Sequence, residues 1–135
     1  MKIIDTSASL PSNSPSHKNI DLKIGIVGPC SAGKTSLADG LNRLGFNARH
    51  IAQEHSYVPY MWQRISKPDL LIFLDVSFQE SQKRRPLNWN YSDFEEQQKR
   101  LAHARQHANL TIGTNDLSIA EILTAVMDFL QTGKY

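Results

Sequence analysis

The hydrophobic residues of this chain follow two different spacings in alternation. Short, mostly apolar runs predict four strands, at positions 22–27, 47–52, 69–75 and 109–113. Between these runs, apolar residues recur at every third or fourth position, which predicts helices that bury one face. The predicted helices cover about 34–44, 58–65, and the segments that follow Ser77, Ser92 and Ser118.

The alternation of strands and helices predicts an α/β fold built on a parallel sheet. The run Asp69–Asp75 is the clearest strand, because an unbroken apolar stretch of this length is typical of a parallel strand covered on both faces. The strand at 47–52 has the weakest pattern. We expect a small sheet of about four parallel strands with helices on both faces, which makes three layers.

Local signals mark where the predicted helices begin and end. Three Ser-x-x-Glu pairs have the spacing of a capping box, in which serine and glutamate satisfy the free amides of a helix start. The pairs are Ser77 with Glu80, Ser92 with Glu95, and Ser118 with Glu121. Gly45 is a natural C-terminal cap for the first helix, and Pro86 is expected to end the third.

The first twenty residues differ in composition from the rest of the chain. Positions 6–19 are rich in Ser, Pro and Asn and contain few large apolar side chains. We therefore expect residues 1–20 to form a disordered tail. Residues 21–135 are then expected to form one domain.

Charge and cysteine content narrow the choice of partners. The formal net charge of +2 indicates neither a nucleic-acid nor a membrane partner. The one cysteine, Cys30, excludes an internal disulfide and suits a reducing compartment. We find no apolar run of membrane-spanning length and no pattern of a signal peptide. We therefore expect a cytoplasmic protein.

The segment Gly28–Thr35 fits the spacing G-x-x-x-x-G-K-[ST] of a phosphate-binding loop. Gly28 and Gly33 allow backbone angles that a Cβ would hinder, so several N–H groups can face phosphate oxygens. Lys34 is placed to reach the outer phosphates, and the Thr35 hydroxyl is placed to ligate Mg²⁺. A predicted strand precedes the loop and a predicted helix follows it, as the motif requires. The predicted nucleotide-binding residues are Gly28, Pro29, Cys30, Ser31, Ala32, Gly33, Lys34, Thr35 and Ser36.

The order of these predicted elements and the loop motif together make region 23–130 resemble the P-loop kinases that phosphorylate nucleotides and other small molecules. Within that family, the resemblance is nearest to thymidylate kinase and the deoxynucleoside kinases. The narrower resemblance rests on Lys67–Val76, followed by a helix that runs into Arg84 and Arg85. In the family this strand lies beside the phosphate-loop strand, and the helix leads into an arginine-bearing lid. The resemblance implies a three-layer P-loop NTPase fold that binds ATP and Mg²⁺.

The same resemblance suggests catalytic roles for Lys34, Glu54, Arg84 and Arg85. Glu54 stands at the end of the second predicted strand, where deoxynucleoside kinases have the base for the acceptor hydroxyl. It is a candidate base or a ligand to a Mg²⁺-bound water, and otherwise a solvated surface glutamate. Arg84 or Arg85 is the candidate lid arginine, although cations at a helix C-terminus also favour the helix dipole.

The chain departs from the family on the acceptor side. Family members have a further strand before the one at 69–75, and it usually carries an Asp-Arg pair that contacts acceptor and metal. Here residues 53–69 contain no such pair. The resemblance thus keeps the nucleotide half of a kinase and reduces the acceptor half.

Three more charged residues could belong to the same site. Asp75 ends the strongest predicted strand, where it could hold Mg²⁺ through water or have a structural role near the loop. Arg100 and Arg105 lie on the helix that follows the predicted lid. Either could reach the phosphates, but a solvated helix face is the more ordinary explanation.

Other side chains permit a functional and a structural explanation. Cys30 lies inside the loop, where a thiolate would be favoured, but it also suits the turn as a small residue. His103 and His107 have the i, i+4 spacing of a zinc site, yet no third ligand is obvious, which favours a solvated helix face. Met61 and Trp62 could line a pocket, although their helical spacing indicates core.

These observations predict an ATP-binding P-loop protein, most simply a small kinase-like phosphotransferase acting on a nucleotide or other small molecule. The alternative is a nucleotide-binding regulatory module, without efficient transfer, that changes state for a protein partner. A GTPase switch is weaker, because the Asn-Lys-x-Asp run that reads guanine in that class is absent. The expected partners are a nucleoside triphosphate and an unknown acceptor or protein.

Overall fold

Strands and helices alternate along the residues that the computed structural model describes, which are 22–85 and 88–135. The strands are β1 (Lys23–Val27), β2 (Asn47–His50), β3 (Leu70–Asp75) and β4 (Leu110–Gly113). The helices are α1 (Lys34–Arg43), α2 (Met61–Ile65), α3 (Phe78–Arg84), α4 (Tyr91–His107) and α5 (Ile119–Thr132). A single 3₁₀ turn, Gln53–His55, follows β2.

The four strands form one parallel sheet in the order β2-β1-β3-β4. Ile24 of β1 is in register with Ala48 on one side and Leu70 on the other. The predicted four-stranded parallel α/β sheet is therefore confirmed, and β3 lies beside β1 as the family resemblance implies. Because all strands run the same way, the segments that follow them gather at one edge of the sheet.

Strand β3 supplies the core on both faces of the sheet, because successive side chains of a strand point to opposite sides. Leu70, Ile72 and Leu74 pack with buried residues of α1 and α5. Leu71 and Phe73 face the other way and pack with buried residues of α2 and α4. The predicted three layers are thus two helices, the sheet, and a second set of helices.

The observed start of helix α4 differs from the predicted one. The predicted box of Ser92 with Glu95 is wrong, because α4 is capped two residues earlier in the chain by Asn90. The Asn90 side chain accepts from the Asp93 backbone N–H, and the Asp93 carboxylate accepts from the Asn90 backbone N–H. A residue of the expected polar type thus forms the box, at a position the Ser-x-x-Glu pattern does not cover.

The two other predicted boxes are found in whole or in part. Ser118 and Glu121 form the complete box at the start of α5. Ser77 accepts from the Glu80 backbone N–H. The Ser77 N–H, however, donates to the Asn115 side chain across the sheet edge, so this box is only half formed.

Element boundaries differ modestly from the predictions. Strand β2 ends at His50 rather than 52, and α2 begins at Met61 after a turn at 58–60. The predicted tail and the predicted helix stop at Pro86 lie outside the described residues. None of the helices within the described ranges is long and apolar enough to cross a membrane.

Candidate phosphate-binding site

The loop between β1 and α1 depends on its glycines. Gly28 has φ +155° and Gly33 has φ +100°, backbone conformations that side chains with a Cβ rarely adopt. A Cβ at Gly28 would also collide with the backbone carbonyl oxygen of Leu74, on the neighbouring strand β3. Ser31 shares the left-handed region at φ 72°. The loop therefore combines three residues in unusual conformations and sits directly against β3.

Helix α1 begins immediately after Gly33, so its first turn opens onto the loop. No side chain caps this helix start. Thr35 and Ser36 lie in the first turn and are exposed. The free backbone N–H groups and the partial positive charge of a helix start favour an anion such as a phosphate.

Lys34 folds back over the loop and is almost fully buried. Its ammonium donates to the backbone carbonyls of Gly28 at 2.8 Å and Pro29 at 3.0 Å. It also forms an ion pair with Glu54, with 3.0 Å between Nζ and Oε2. The lysine of the motif is thus held at the loop by two carbonyls and one carboxylate.

Glu54 reaches the loop from the 3₁₀ turn after β2 and is 4% exposed. Its Oε2 faces Lys34, while its Oε1 is buried and has no hydrogen-bond partner. The backbone of Glu54 is held by Arg100, whose guanidinium donates to the Glu54 carbonyl at 3.3 Å. Burial beside Lys34 excludes the solvated surface glutamate that the sequence left open.

Cys30 is held by a buried glutamine of α4. The Cys30 backbone N–H donates to Gln97 Oε1 at 2.9 Å, and Gln97 Nε2 donates to the Cys30 sulfur at 3.1 Å. On its other side, the sulfur lies 3.8 Å from Nε2 of His55. His55 Nε2 in turn lies 3.7 Å from Glu54 Oε2.

These groups line one cavity of about 330 Å³, which we call the loop cavity. Its lining combines loop backbone, hydroxyl groups, cations and one carboxylate, a set suited to a charged ligand. The lining residues are Cys30, Ser31, Gly33, Lys34, Thr35, Ser36, His50, Glu54, His55 and Arg85.

The two arginines at the end of α3 have different surroundings. Arg84 donates to the backbone carbonyls of Ser31 at 2.6 Å and Thr114 at 3.0 Å, and it pairs with Glu80. It therefore ties the phosphate loop to the segment after β4. Arg85 lines the loop cavity and stacks 5.6 Å over the ring of Trp89. Only Arg85 of this pair faces the cavity.

Asp75 and Arg105 lie apart from the loop cavity. Arg105 holds the Asp75 carboxylate with two guanidinium nitrogens, at 3.2 and 3.3 Å, and lies over the ring of Phe73. This geometry agrees with the structural role considered for Asp75. Arg105 lies outside the lining of the loop cavity, and its ion pair and ring contact engage a side chain that is still 38% exposed.

The two histidines of α4 contact each other and a core tryptophan. His103 and His107 stack at 4.3 Å between ring centroids, and the Trp62 indole N–H donates to His103 Nδ1 at 3.1 Å. Trp62 is 5% exposed and belongs to the core, as its helical spacing indicates. Met61 at the start of α2 is only half-buried and lies outside this core cluster.

The sequence did not point to His50, His55 and Gln97. His55 directly follows Glu54 in the chain. Because Glu54 was already a candidate site residue, this adjacency is the sequence signal that could have pointed to His55. Gln97 lies on the buried face of α4, three residues from Phe94 and four from Leu101, and a polar residue at such a position needs an internal partner.

The residues present fit a nucleotide with its metal. The helix start and Lys34 offer positive groups to phosphates, and the exposed Thr35 hydroxyl offers an oxygen ligand of the type that Mg²⁺ prefers. The unpartnered Oε1 of Glu54 has the acceptor capacity for a metal-bound water.

Comparison with protein-family models and with curated proteins gives no match to this chain. Among solved structures, the chain is similar to shikimate kinase from Acinetobacter baumannii in complex with shikimate, with a TM-score of 0.62 and 16% sequence identity. The similarity covers 89% of this chain and 99% of that chain. This chain therefore shares the fold of that kinase, a parallel sheet flanked by helices. At this level of identity the likeness concerns the fold, and the narrower resemblance to thymidylate and deoxynucleoside kinases stays a prediction.

Proposed function

We propose that this chain is a small P-loop kinase-like phosphotransferase that uses ATP and Mg²⁺. The observation that carries the proposal is the position of Lys34. Its ammonium lies against the phosphate loop and is held by two loop carbonyls and Glu54, all of which a phosphate chain could replace as partners. The P-loop kinase fold of a solved neighbour supports the same function.

The site residues divide the work of phosphoryl transfer, which depends on positioning and charge stabilisation more than on covalent chemistry. Loop amides and Lys34 bind the phosphates, and Arg85 can stabilise charge on the transferred group. Thr35 would hold Mg²⁺, which supplies charge neutralisation when it is bound. Glu54 orients the acceptor hydroxyl or a metal-bound water through its free carboxylate oxygen.

The acceptor is to be identified by transfer of label from γ-labelled ATP in the presence of Mg²⁺. The panel should contain nucleosides, nucleotides and small alcohols, with shikimate among them because the similar solved structure contains it. Label on any acceptor supports the proposal. A pure preparation that binds MgATP and labels nothing contradicts it.

The predicted role of Lys34 has its own test. Lys34→Ala should abolish the thermal stabilisation that MgATP gives the unaltered chain, because a ligand that binds only the native state stabilises it by about 2.7 kcal/mol at 100 times its Kd. The baseline stability of this variant should also fall, since Glu54 loses its buried partner. The readout is therefore the difference with and without MgATP, measured by thermal unfolding.

Lys23→Ala is the matched control, because Lys23 is exposed at the amino end of β1, away from the loop. It should keep the full MgATP-dependent shift. A normal shift in Lys34→Ala would contradict the assignment of the loop as the nucleotide site.

The second candidate is a nucleotide-binding regulatory module without efficient transfer. The segment between β2 and β3 favours it, because residues 51–69 contain only the 3₁₀ turn, the short helix α2 and turns. Little of the chain is thus free to surround an acceptor. Tight MgATP binding with slow hydrolysis and no labelled acceptor would favour the module. A cytoplasmic location, expected from the single cysteine, stays a prediction.

A further inference from the structure

Three residues that line the loop cavity present the donor types of a zinc site. Cys30, Glu54 and His55 bring one sulfur, one carboxylate oxygen and one imidazole nitrogen within 4.8 Å of one another. We propose that these residues, the Cys–Glu–His cluster, bind a thiophilic divalent cation of the Zn²⁺ class. The cluster shares Cys30 and Glu54 with the proposed phosphotransfer site and lies in the same cavity, but the proposal does not depend on nucleotide binding.

The distances in the cluster suit tetrahedral zinc. With zinc–sulfur and zinc–nitrogen bonds of about 2.3 and 2.0 Å, two ligand atoms at the tetrahedral angle lie about 3.5 Å apart. Cys30 Sγ lies 3.8 Å from His55 Nε2, and Glu54 Oε2 lies 3.7 Å from the same nitrogen. His55 is exposed and can approach the other two ligands, and because all three ligand atoms lie within 4.8 Å, no pair has to close by more than about 1.3 Å to reach this separation.

Glu54 supplies an independent reason to expect a ligand here. Its carboxylate is buried, and Oε1 accepts no hydrogen bond. An unsatisfied buried oxygen costs free energy, so such an atom needs an explanation. A cation held by this carboxylate would carry a bound water that can donate to Oε1, while Oε2 is shared with Lys34.

The surroundings of Cys30 favour metal binding by its sulfur. The Gln97 amide donates to the sulfur and also accepts from the Cys30 backbone, so it fixes the position of the thiol from behind. Hydrogen bonds of this kind orient metal ligands. Binding releases the thiol proton to the solvent, since the thiolate is the ligand.

The donor set also separates this cluster from the proposed magnesium position. Thiolate and imidazole are soft or intermediate ligands that select Zn²⁺, whereas Mg²⁺ prefers oxygen ligands only. Three protein ligands leave the fourth tetrahedral position for water, as in zinc sites that keep an open position.

Co²⁺ is the probe for this proposal, because Co²⁺ bound to a thiolate has an intense near-ultraviolet charge-transfer absorption that Zn²⁺ lacks. The reduced full-length chain, without nucleotide, should develop this absorption at one equivalent of Co²⁺ and lose it when Zn²⁺ is added. Since Cys30 is the only cysteine in the sequence, any such band reports this sulfur. The absence of the band would overturn the proposal, whatever the kinase assay shows.

Variants identify the other ligands. Cys30→Ser should remove the band, and His55→Ala should weaken Co²⁺ and Zn²⁺ binding at least roughly tenfold, since even the loss of a supporting hydrogen bond to a ligand costs that much. His50→Ala is the matched control, because His50 lines the same cavity outside the cluster. It should bind both metals normally. Equal Zn²⁺ affinity for unaltered chain, Cys30→Ser and His55→Ala would overturn the proposal and indicate binding elsewhere, such as at His103 and His107.

Discussion

The two adjacent arginines at the end of α3 have separable tasks. Arg84 is engaged by the carbonyls of Ser31 and Thr114, which leaves little of its guanidinium for a ligand. Arg85 faces the loop cavity and stacks on Trp89. Substitutions at these positions should therefore affect different properties of the protein.

Arg84→Ala should lower the free energy of unfolding by about 1–3 kcal/mol, because two carbonyls lose their donor. Arg85→Ala should leave stability within about 0.5 kcal/mol, since it is an exposed position, and should lower phosphoryl transfer or MgATP affinity. Urea unfolding and γ-labelled ATP assays on both variants check this. The reverse pattern would assign Arg84 to the ligand.

Gly28 is the residue at which the loop tolerates least change. Gly28→Ala should destabilise the protein by about 2–5 kcal/mol, because the new methyl group meets the Leu74 carbonyl in a backbone conformation already unfavourable for alanine. Urea unfolding gives the measurement. Gly113→Ala is the control, since nothing lies within 4 Å of its added Cβ, and it should change stability by about 0.5 kcal/mol or less.

At the scale of single residues, the sequence predicts those features of the site that depend on the spacing of the phosphate-loop motif. It predicts the unusual backbone of Gly28 and Gly33 and the position of Lys34 at the loop, because these follow from local geometry, while their binding roles stay predictions. It does not identify Gln97, which meets Cys30 across 67 positions of chain, or choose between Arg84 and Arg85. Such contacts depend on how helices pack, and one-dimensional spacing carries no information on that.

The start of α4 illustrates how elements are specified. Asn90 and Asp93 form the capping box, whereas Ser92 is exposed in the first turn. Several polar residues near a helix start compete for the cap position. The sequence pattern therefore locates the helix, but it defines the first residue of the helix only to within two positions.

Asn90→Ala should cost about 1 kcal/mol of stability, because the Asp93 amide loses its acceptor. Ser92→Ala should be neutral within about 0.5 kcal/mol, since alanine has the higher helix propensity. Chemical unfolding monitored by circular dichroism compares the two. A larger effect at Ser92 would restore the box of Ser92 with Glu95.

The accuracy with which a strand's ends are predicted depends on how far the strand is buried. The bounds of β3 agree with the predicted run to within one residue, because its side chains are buried on both faces and the apolar pattern is unbroken. Edge strand β2 has one buried residue in four, so its end is two residues from the predicted one. Where solvent covers one side of a strand, hydrophobicity alone does not define the strand end.

At the scale of the whole molecule, the two hydrophobic clusters share the same central strands. β1 and β3 contribute side chains to both, so neither cluster can form without the sheet. This arrangement predicts one cooperative unfolding transition for the part of the chain that the structure describes.

The transition can be followed on one face at a time. In the Trp89→Phe variant, Trp62 is the only tryptophan and reports the α4 face. Its fluorescence and the far-ultraviolet circular dichroism should give the same urea midpoint. A fluorescence transition at lower urea would mean that the α4 face unfolds separately.

Burial of β3 on both faces also has an evolutionary consequence. Leucine, isoleucine, valine and methionine exchange at such positions at small cost, provided that total volume is kept. Related strands of this kind can therefore differ at almost every residue while each position stays hydrophobic. Strands buried on both faces thus let a fold tolerate extensive sequence change, and the fold that this chain shares with the solved kinase is accompanied by only 16% identity.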